Sequence, residues 1–439
     1  MAKSKTKNVS VKQLTAAQRQ ALTQLKSFVK SDESIFRLSG YAGTGKSFLI
    51  CHFIEWLRAK NLELVAAAPT NKAAKSLMQV AMSMGVSIEV KTIAQLLGQQ
   101  PEINEETGLE EFTSMGEAKF DDYGVVIVDE FSMINRSNFE EIVKAIALTI
   151  DTKVVFVGDE SQLPPVKENE PVVAVSDYID RTFTLNEIVR YEGEIAVVAE
   201  KIRSDARYNR LIYPFKSSED RTIICQPRKQ WLDTVVEYFQ SDDCKINPDY
   251  ARLLVWRNKT AKSANKFVRS RLWGQDAPLY VPGDRLIAKK PLFRSRPGQK
   301  GKNKWGVLIN NSEECSVIES ASIKQLSFDK VAYQYWSVPV MTDAGFEVNL
   351  SILTEEGEQL KNEQSKYYVE KKQWNKYFDL SRMFDDITYA YALTVHKAQG
   401  SSINYVFLDT EDMQNCPDLQ KMLYTALTRA KVRAFIPIN

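Results

Sequence analysis

Gly40-Tyr-Ala-Gly-Thr-Gly-Lys46-Ser47 matches the pattern GxxxxGK[ST] and lies between an apolar run, IFRLS at 35–39, and an amphipathic helical stretch. The chemistry of such a loop needs that context. A strand delivers the loop, glycines let backbone N–H groups turn inward around phosphate oxygens, and the helix that follows adds its amino-terminal dipole. Lys46 is then placed to reach the β and γ phosphates of a nucleoside triphosphate, and Ser47 to hold Mg²⁺. Gly40, Gly43, Thr44, Gly45, Lys46 and Ser47 form the candidate phosphate cradle.

Moving outward, ELVAAA at 63–68, GVVIVDE at 124–130 and KVVFVGD at 153–159 alternate with amphipathic helical segments. This is the pattern of a parallel sheet covered on both faces. The run VVIVDEFSM ends a buried strand with Asp129 and Glu130; one carboxylate can hold Mg²⁺ and the other can orient or deprotonate the attacking water. The next strand runs into GDESQLPPV and puts Gln162 on the loop beyond Val157, where it can sense the γ-phosphate or position water. Three such strand ends side by side predict a magnesium-dependent nucleoside triphosphatase with ATP and Mg²⁺ as cofactors. They say nothing about what the energy drives.

The chain has 439 residues, enough for about three domains at ~150 residues each. Its 58 Lys and Arg against 56 Asp and Glu neither demand nor forbid a polyanionic partner, so any such surface must come from local clustering. Cys51, Cys225, Cys244, Cys315 and Cys416 are scattered without CxxC spacing, which argues against a disulfide framework or a zinc site. No run of about 18 apolar residues is present, so the expectation is a soluble, cytoplasmic protein with no membrane contact. The lysine-bearing residues 1–13 read as a solvated, disordered tail.

A second set of apolar runs, RLLVWR at 252–257, AYALTVH at 390–396 and NYVFLD at 404–409, predicts a second α/β unit. Between them, VPGDRLIAKK, VLINNSEECSVIES and YWSVPVMT read as short strands joined by turns, which suits a small β-barrel inserted into that unit. The stretch TEEGEQLKNEQSKYYVEKKQWNKYF at 354–378 reads as one long charged helix. Leu360, Tyr367 and Trp374 fall seven apart on it, a stripe expected to pack on a neighbouring domain.

Taken in order and spacing, Gln18 in LTAAQ, GYAGTGKS, APTNKAAK at 68–75, VIVDEFSM, GDESQLPPV, LNEIVR at 185–190, LTVHKAQG at 393–400 and YTALTRA at 424–430 resemble the superfamily 1 helicases. Within these the series is similar to the Dda-like and RecD-like branch that moves 5′ to 3′, and the likeness covers nearly the whole chain. It implies an ATP-dependent 5′-to-3′ DNA helicase working as a monomer on single-stranded DNA and single-strand/duplex junctions. Single-stranded-DNA-binding, replication or recombination proteins are its candidate partners, in a bacterial or phage-infected cell. The implied fold is α/β with two RecA-like P-loop domains, a β-hairpin insert in the first, and an SH3-like β-barrel plus long helix in the second. Boundaries follow: 14–97 and 120–186 for the first motor domain, 98–119 for its hairpin, 187–274 and 387–439 for the second motor domain, and 275–386 for the barrel insert.

The resemblance also assigns roles. Gln18 reads the adenine edge, Asp129 is the metal ligand and Glu130 the base, and Gln162 couples the γ-phosphate to movement. Gln399 and Gly400 lie at the nucleotide cleft. Arg190 and Arg429 are arginine fingers from the second domain. By sequence alone Arg190 would read as a surface ion pair with Glu187 or Glu192, and only its place in the series reverses that. Pro69, Thr70, Asn71, Thr92, Asn258, Thr394, His396 and Lys397 are the strand contacts, with hydroxyl, amide and lysine groups that suit phosphates without reading sequence.

Two features stay open. QQPEINEETGLEEF at 99–112 reads as a hairpin, either a duplex-splitting pin with Leu109 and Phe112 as its wedge or a solvent-facing hairpin whose glutamates repel phosphate. Residues 284–305 hold eight basic side chains and one acid, with Phe293 and Trp305 among them. They are either a mobile barrel loop or a DNA contact.

Overall fold

The computed structural model describes residues 13–103, 110–114, 120–189, 194–209, 215–296, 304–343 and 345–438. Six parallel strands form the first sheet, in the spatial order Val90–Thr92, Leu64–Ala68, Val125–Val128, Lys153–Gly158, Ile35–Gly40 and Arg181–Leu185. Successive side chains of a strand point to opposite faces. Phe36, Leu38, Ala66, Val125, Ile127, Val155 and Val157 therefore pack with the helices Ala16–Phe28 and Lys46–Ala59 on one side. Val65, Ala67, Val126, Val128, Val154 and Phe156 pack with Phe139 and Ile142 of the helix Arg136–Ala147 on the other. Burial on both faces explains why these strands read as continuous apolar runs.

The second unit repeats the plan with five parallel strands in the order Ala392–Thr394, Ala251–Val255, Ile403–Leu408, Ala430–Ile438 and Ile223–Pro227. Its inserted segment forms an antiparallel sheet, Ser322–Phe328, Val331–Thr342, Glu314–Val317, Arg285–Ala288 and Ile387–Tyr389, with Glu347–Leu353 pairing to Val331–Thr342. Leu286, Val317, Val338, Val340 and Leu350 share its core. No pairing among the described residues closes this sheet into a barrel. The hairpin near residue 100 is present as Gln99–Ile103 paired antiparallel with Glu110–Ser114, Pro101 opposite Phe112.

The long charged helix needs correction. It is two helices, Glu355–Glu370 and Trp374–Met383, broken at Lys372, whose φ is +54°. The expected stripe does not pack as a unit, since Leu360 is 39% and Tyr367 46% exposed while Trp374 opens the second helix. Tyr368, next in sequence to Tyr367, is the buried one, sharing a small core with Tyr333, Leu380 and Phe384. A helix that meets its neighbour with a different side chain than the heptad suggests has its rotation set by the docking surface, which spacing alone does not encode.

Among the described residues no helix is long and apolar enough to cross a membrane, and all five cysteines are free.

Candidate nucleotide cleft and strand track

The phosphate loop leaves the strand Ile35–Gly40 and enters the helix Lys46–Ala59 through Gly43 and Gly45, at φ +85° and +79°. A side chain would strain either position, which is the physical reason for glycine at both. Lys46 Nζ donates to the carbonyls of Gly40 at 2.6 Å and Tyr41 at 3.1 Å, so the ammonium lies along the loop. Ser47 sits in the first turn of the helix. Gln18 is buried against the loop, its Nε2 donating to Thr44 O at 3.0 Å while its Oε1 completes a capping box with Thr15.

The strand Val125–Val128 delivers Asp129 and Glu130 to the same sheet edge. Burial and the adjacent Glu130 carboxylate push the Asp129 carboxyl up to about 7, and the Lys46 ammonium pulls it back. A desolvated carboxylate that feels the Lys46 ammonium, with the Ser47 hydroxyl next in sequence to that lysine, is a donor set that suits a hard divalent cation. Among the described residues no cluster of three His, Cys, Asp or Glu side chains forms, so such a cation would complete its shell from phosphate oxygens and water. Glu130 itself is held at φ +55°, a conformation that costs roughly 1–3 kcal/mol and persists where surrounding structure enforces it.

Between these two strand ends lies the loop after Lys153–Gly158. Gln162 is 3% exposed, and its Oε1 is buried without a hydrogen-bond partner. An orphaned amide oxygen at this position is a group that a ligand or water would complete.

The second unit closes on this edge. Tyr424 Oη accepts from Ala42 N at 2.9 Å and donates to Asp159 Oδ2 at 2.7 Å. Thr425 Oγ1 accepts from Leu163 N at 3.0 Å, and Gln399 Nε2 donates to Leu163 O at 2.8 Å. Arg429 is 6% exposed and has no carboxylate partner among the described residues. Its guanidinium is held by Thr425 O, Ser401 O and Thr428 Oγ1. Neutral acceptors orient the group and leave its charge uncompensated. Gln399 and Gly400 thus touch the first unit at the Gln162 loop and at Ala73, whose atoms come within 2.9–3.4 Å of where a Cβ on Gly400 would lie. Arg190 lies outside the described residues.

The strand candidates fall together at a different place, the carboxyl ends of the paired edge strands of each sheet. Thr70 follows one strand and Thr92 ends its neighbour, and they cap the helices Asn71–Ser83 and Ile93–Leu96, accepting from Ala73 N and Gln95 N. Asn71 opens the first of these helices, just after Pro69. In the second unit, Thr394 precedes the short helix Val395–Ala398, while the exposed Asn258 opens the helix Asn258–Trp273 after the neighbouring strand. Burial lowers His396 below its ordinary value and likewise lowers Lys397, aided there by Lys289. Leu109 and the side chain of Phe112 lie outside the described residues.

Much of the basic stretch 284–305 is already committed. Asp284 is buried under Arg269, Arg285 meets Glu314 and Asp343, Lys289 pairs with Asp386, and Arg294 pairs with Asp385. Arg382 covers the Phe293 ring at 5.4 Å. Of the described cations Arg285, Lys289 and Arg294 are thus ion-paired while Lys290 reaches Ser381 Oγ at 3.4 Å, and the reading of the stretch as an open electropositive patch is corrected to that extent; the side chains of residues 295–306 lie outside the described set.

In the sequence YTALTRA points to Arg429, and no motif singles out Asp159, Tyr424 or Thr425. A signal existed. The helix Leu419–Leu427 buries nearly every side chain, so a tyrosine and a threonine inside it must have partners across an interface.

A phosphate loop, an acidic strand end and a buried glutamine, closed over by a second parallel unit, define a P-loop nucleoside triphosphatase with its cleft between two α/β units. Comparison with known proteins narrows this. A family model described as AAA domain matches residues 13–213, and one described as UvrD-like helicase C-terminal domain matches 389–436. An uncharacterized protein of Acanthamoeba polyphaga mimivirus is 25% identical, over 92% of this chain and 95% of its own length. The ATP-dependent DNA helicase Dda of Enterobacteria phage T4 is 24% identical, over 96% and 98%. Among solved structures, one of two coordinating Pif1 helicases at forked double-stranded DNA covers 97% of this chain and 92% of its own, with a TM-score of 0.51 and 17% identity. Over nearly its whole length the chain is thus similar to helicases of the Dda-like and RecD-like kind.

Proposed function

We propose that this protein is an ATP-dependent DNA helicase that translocates 5′ to 3′ on single-stranded DNA and unwinds duplex ahead of it. The observation that carries the reading is the second unit's helix Leu419–Leu427, which touches the phosphate loop through Tyr424 and holds Arg429 just beyond its end, its guanidinium bound by neutral acceptors alone among the described residues. An arginine presented across a cleft stabilises the charge of the transferring phosphoryl group. In this reading the two α/β units are RecA-like motor domains, divided as 14–97 with 120–186 and 187–274 with 387–439, and the 275–386 insert is an SH3-like module.

Lys46 and the loop amides hold the β and γ phosphates, Gln18 takes the adenine edge, Glu130 accepts the proton of the attacking water, and Gln162 senses the γ-phosphate. Ser47 and Asp129 would hold Mg²⁺, which when bound neutralises phosphate charge. Arg190 supplies a second finger beside Arg429. Thr70 and Thr92 on one side, and Asn258, Thr394, His396 and Lys397 on the other, grip the strand at two points that move apart and together as the cleft opens and closes. Pro69 and Asn71 shape the first grip. The hairpin near residue 100, with Leu109 and Phe112, serves as the pin. The protein acts as a monomer at single-strand/duplex junctions.

Two otherwise identical partial duplexes, one with a 5′ and one with a 3′ single-stranded tail, test this while ATP turnover is recorded. Unwinding only from the 5′ tail is expected. Unwinding only from the 3′ tail would overturn the polarity, and strand-stimulated turnover without unwinding would favour a RecD-like subunit that needs a partner.

A further inference from the structure

The second unit grips two consecutive residues of the phosphate loop. At Tyr41, the guanidinium of Arg203 lies 3.7 Å from the ring centroid, well inside cation–π distance. At Ala42, the backbone N–H donates to Tyr424 Oη. These two groups come from different helices, Glu194–Ser204 and Leu419–Leu427, but the helices are tied together. Gln420 Nε2 donates to the carbonyls of Ile202, Arg203 and Asp205 at 2.7, 3.0 and 3.1 Å, capping the end of the first helix from the start of the second. Glu200 fixes the Arg203 guanidinium through two nitrogens. The result is one rigid jaw with two contact points.

The same jaw reaches the Gln162 loop. Tyr424 donates to Asp159 and Thr425 accepts from Leu163 N, so the loop is held on both sides of Gln162 from one helix. Burial and the neighbouring Asp159 carboxylate raise the Tyr424 phenol far above its ordinary value, which keeps it a neutral donor. One phenolic oxygen thus joins the phosphate loop and the γ-phosphate-sensing loop, five residues before the arginine that would act on the same phosphate.

Resting on the motor reading above, we infer that Tyr424 and Arg203 form a positioning clamp that sets the phosphate loop against Gln162 and Arg429, so that movement of the second unit over the strand is felt at the nucleotide. Neither residue need touch ATP. A unit that shifts on the strand drags the loop through residues 41–42 and the sensor through 159 and 163 together, which keeps their spacing fixed while the rest of the cleft rearranges. The phenol can do this only with its hydroxyl, and the guanidinium only with a flat face that lysine lacks.

Steady-state ATP turnover with and without single-stranded DNA tests the clamp, using Y424F, which keeps the ring and loses both hydrogen bonds, and R203K, which keeps the charge and loses the stack. Each is expected to lower the strand-stimulated turnover number about 10-fold, the scale of one hydrogen bond to a charged group or one cation–π contact. KM for ATP should stay within about 3-fold of wild type, and the melting temperature within about 3 °C. Acting through one jaw, the double variant should lose less than the product of the two single losses. Wild-type strand stimulation in Y424F would overturn the clamp. So would a parallel loss of basal turnover, stimulated turnover and melting temperature, which marks a merely structural role. If Y424F does not fold, R203K is held to the same thresholds. A wild-type chain that fails to hydrolyse ATP would overturn the motor reading and the clamp together, whereas an active wild type with unaltered variants sinks the clamp alone.

Discussion

The first unit meets the rest of the molecule at two places made from opposite chemistry. At the cleft the contacts are mostly single and neutral, Gln399 and Thr425 on Leu163 and Tyr424 on Ala42, with the Tyr424 bond to the Asp159 carboxylate and Arg203 over the Tyr41 ring the two that involve charge. At the inserted sheet they are ionic and buried. Glu314, 3% exposed, accepts from Lys72 at 3.1 Å, from Arg285 at 3.1 Å and from Arg252, and Asp343 takes Arg285 at 3.2 Å. Lys75 adds a bond to Asp343 O at 3.1 Å. This hub joins the helix Asn71–Ser83 of the first unit, a strand of the second and two strands of the insert. Single neutral hydrogen bonds exchange for water at about 1 kcal/mol each, so a cleft built mainly from them can rearrange around the Tyr424 and Arg203 clamp every cycle. Separating buried charges is far more costly. The insert is therefore anchored and the cleft is labile, and the helix that begins at the candidate strand grip is tied to the anchored side.

The sharpest way to break this contrast is on the cleft side. R429A should lower ATP turnover by roughly 10³-fold or more while leaving nucleotide affinity nearly unchanged, read by steady-state kinetics beside equilibrium binding. Equal losses in both would remove the finger role. On the anchored side, E314Q leaves Arg252 buried without its anion and Arg285 with Asp343 alone, a loss of about 3–5 kcal/mol. It should lower the thermal unfolding midpoint by several degrees while saturated turnover falls much less; an unchanged midpoint would erase the distinction between the two junctions.

The same carboxyl makes a pH prediction. Burial alone would raise Glu314, but Arg252, Lys72 and Arg285 outweigh it and hold the group well below its ordinary value of 4.5. Its contribution is then fully present above that value and fades as pH falls toward the depressed folded one. Thermal melts of wild type should lose stability below that point more steeply than those of E314Q, and superimposable acid profiles would refute the assignment. The smallest effect belongs to K72A. Lys72 is less deeply buried than Arg252, and both arginines remain on Glu314 when it is removed, so a loss of about 1 kcal/mol is expected. A loss matching that of E314Q would make Lys72, and with it the first unit, the dominant partner of the hub.

The candidate site is legible where its groups are local. GYAGTGKS, VVIVDE and GDESQ each hold their candidate groups within a few residues, and four strands of the first sheet stand out because burial on both faces leaves them apolar throughout. The edge strands Val90–Thr92 and Arg181–Leu185 are not legible in the same way, since an edge strand is short or exposes one side and loses that signature. The same holds for Ile223–Pro227 in the second sheet. Arg285 and Arg294 looked free in sequence because their carboxylates, Glu314 with Asp343 and Asp385, lie far along the chain.

The sequence by itself determined that the chain builds two parallel α/β units and presents a phosphate loop, because glycine geometry and strand burial are encoded within short windows. Only the tertiary structure decided which buried polar groups meet. That Tyr424 and Arg203 close on residues 41–42, and that Glu314 gathers three cations from three parts of the molecule, depends on how units dock. Docking is set by the sum of many weak contacts between distant segments, and no single stretch of chain carries that sum.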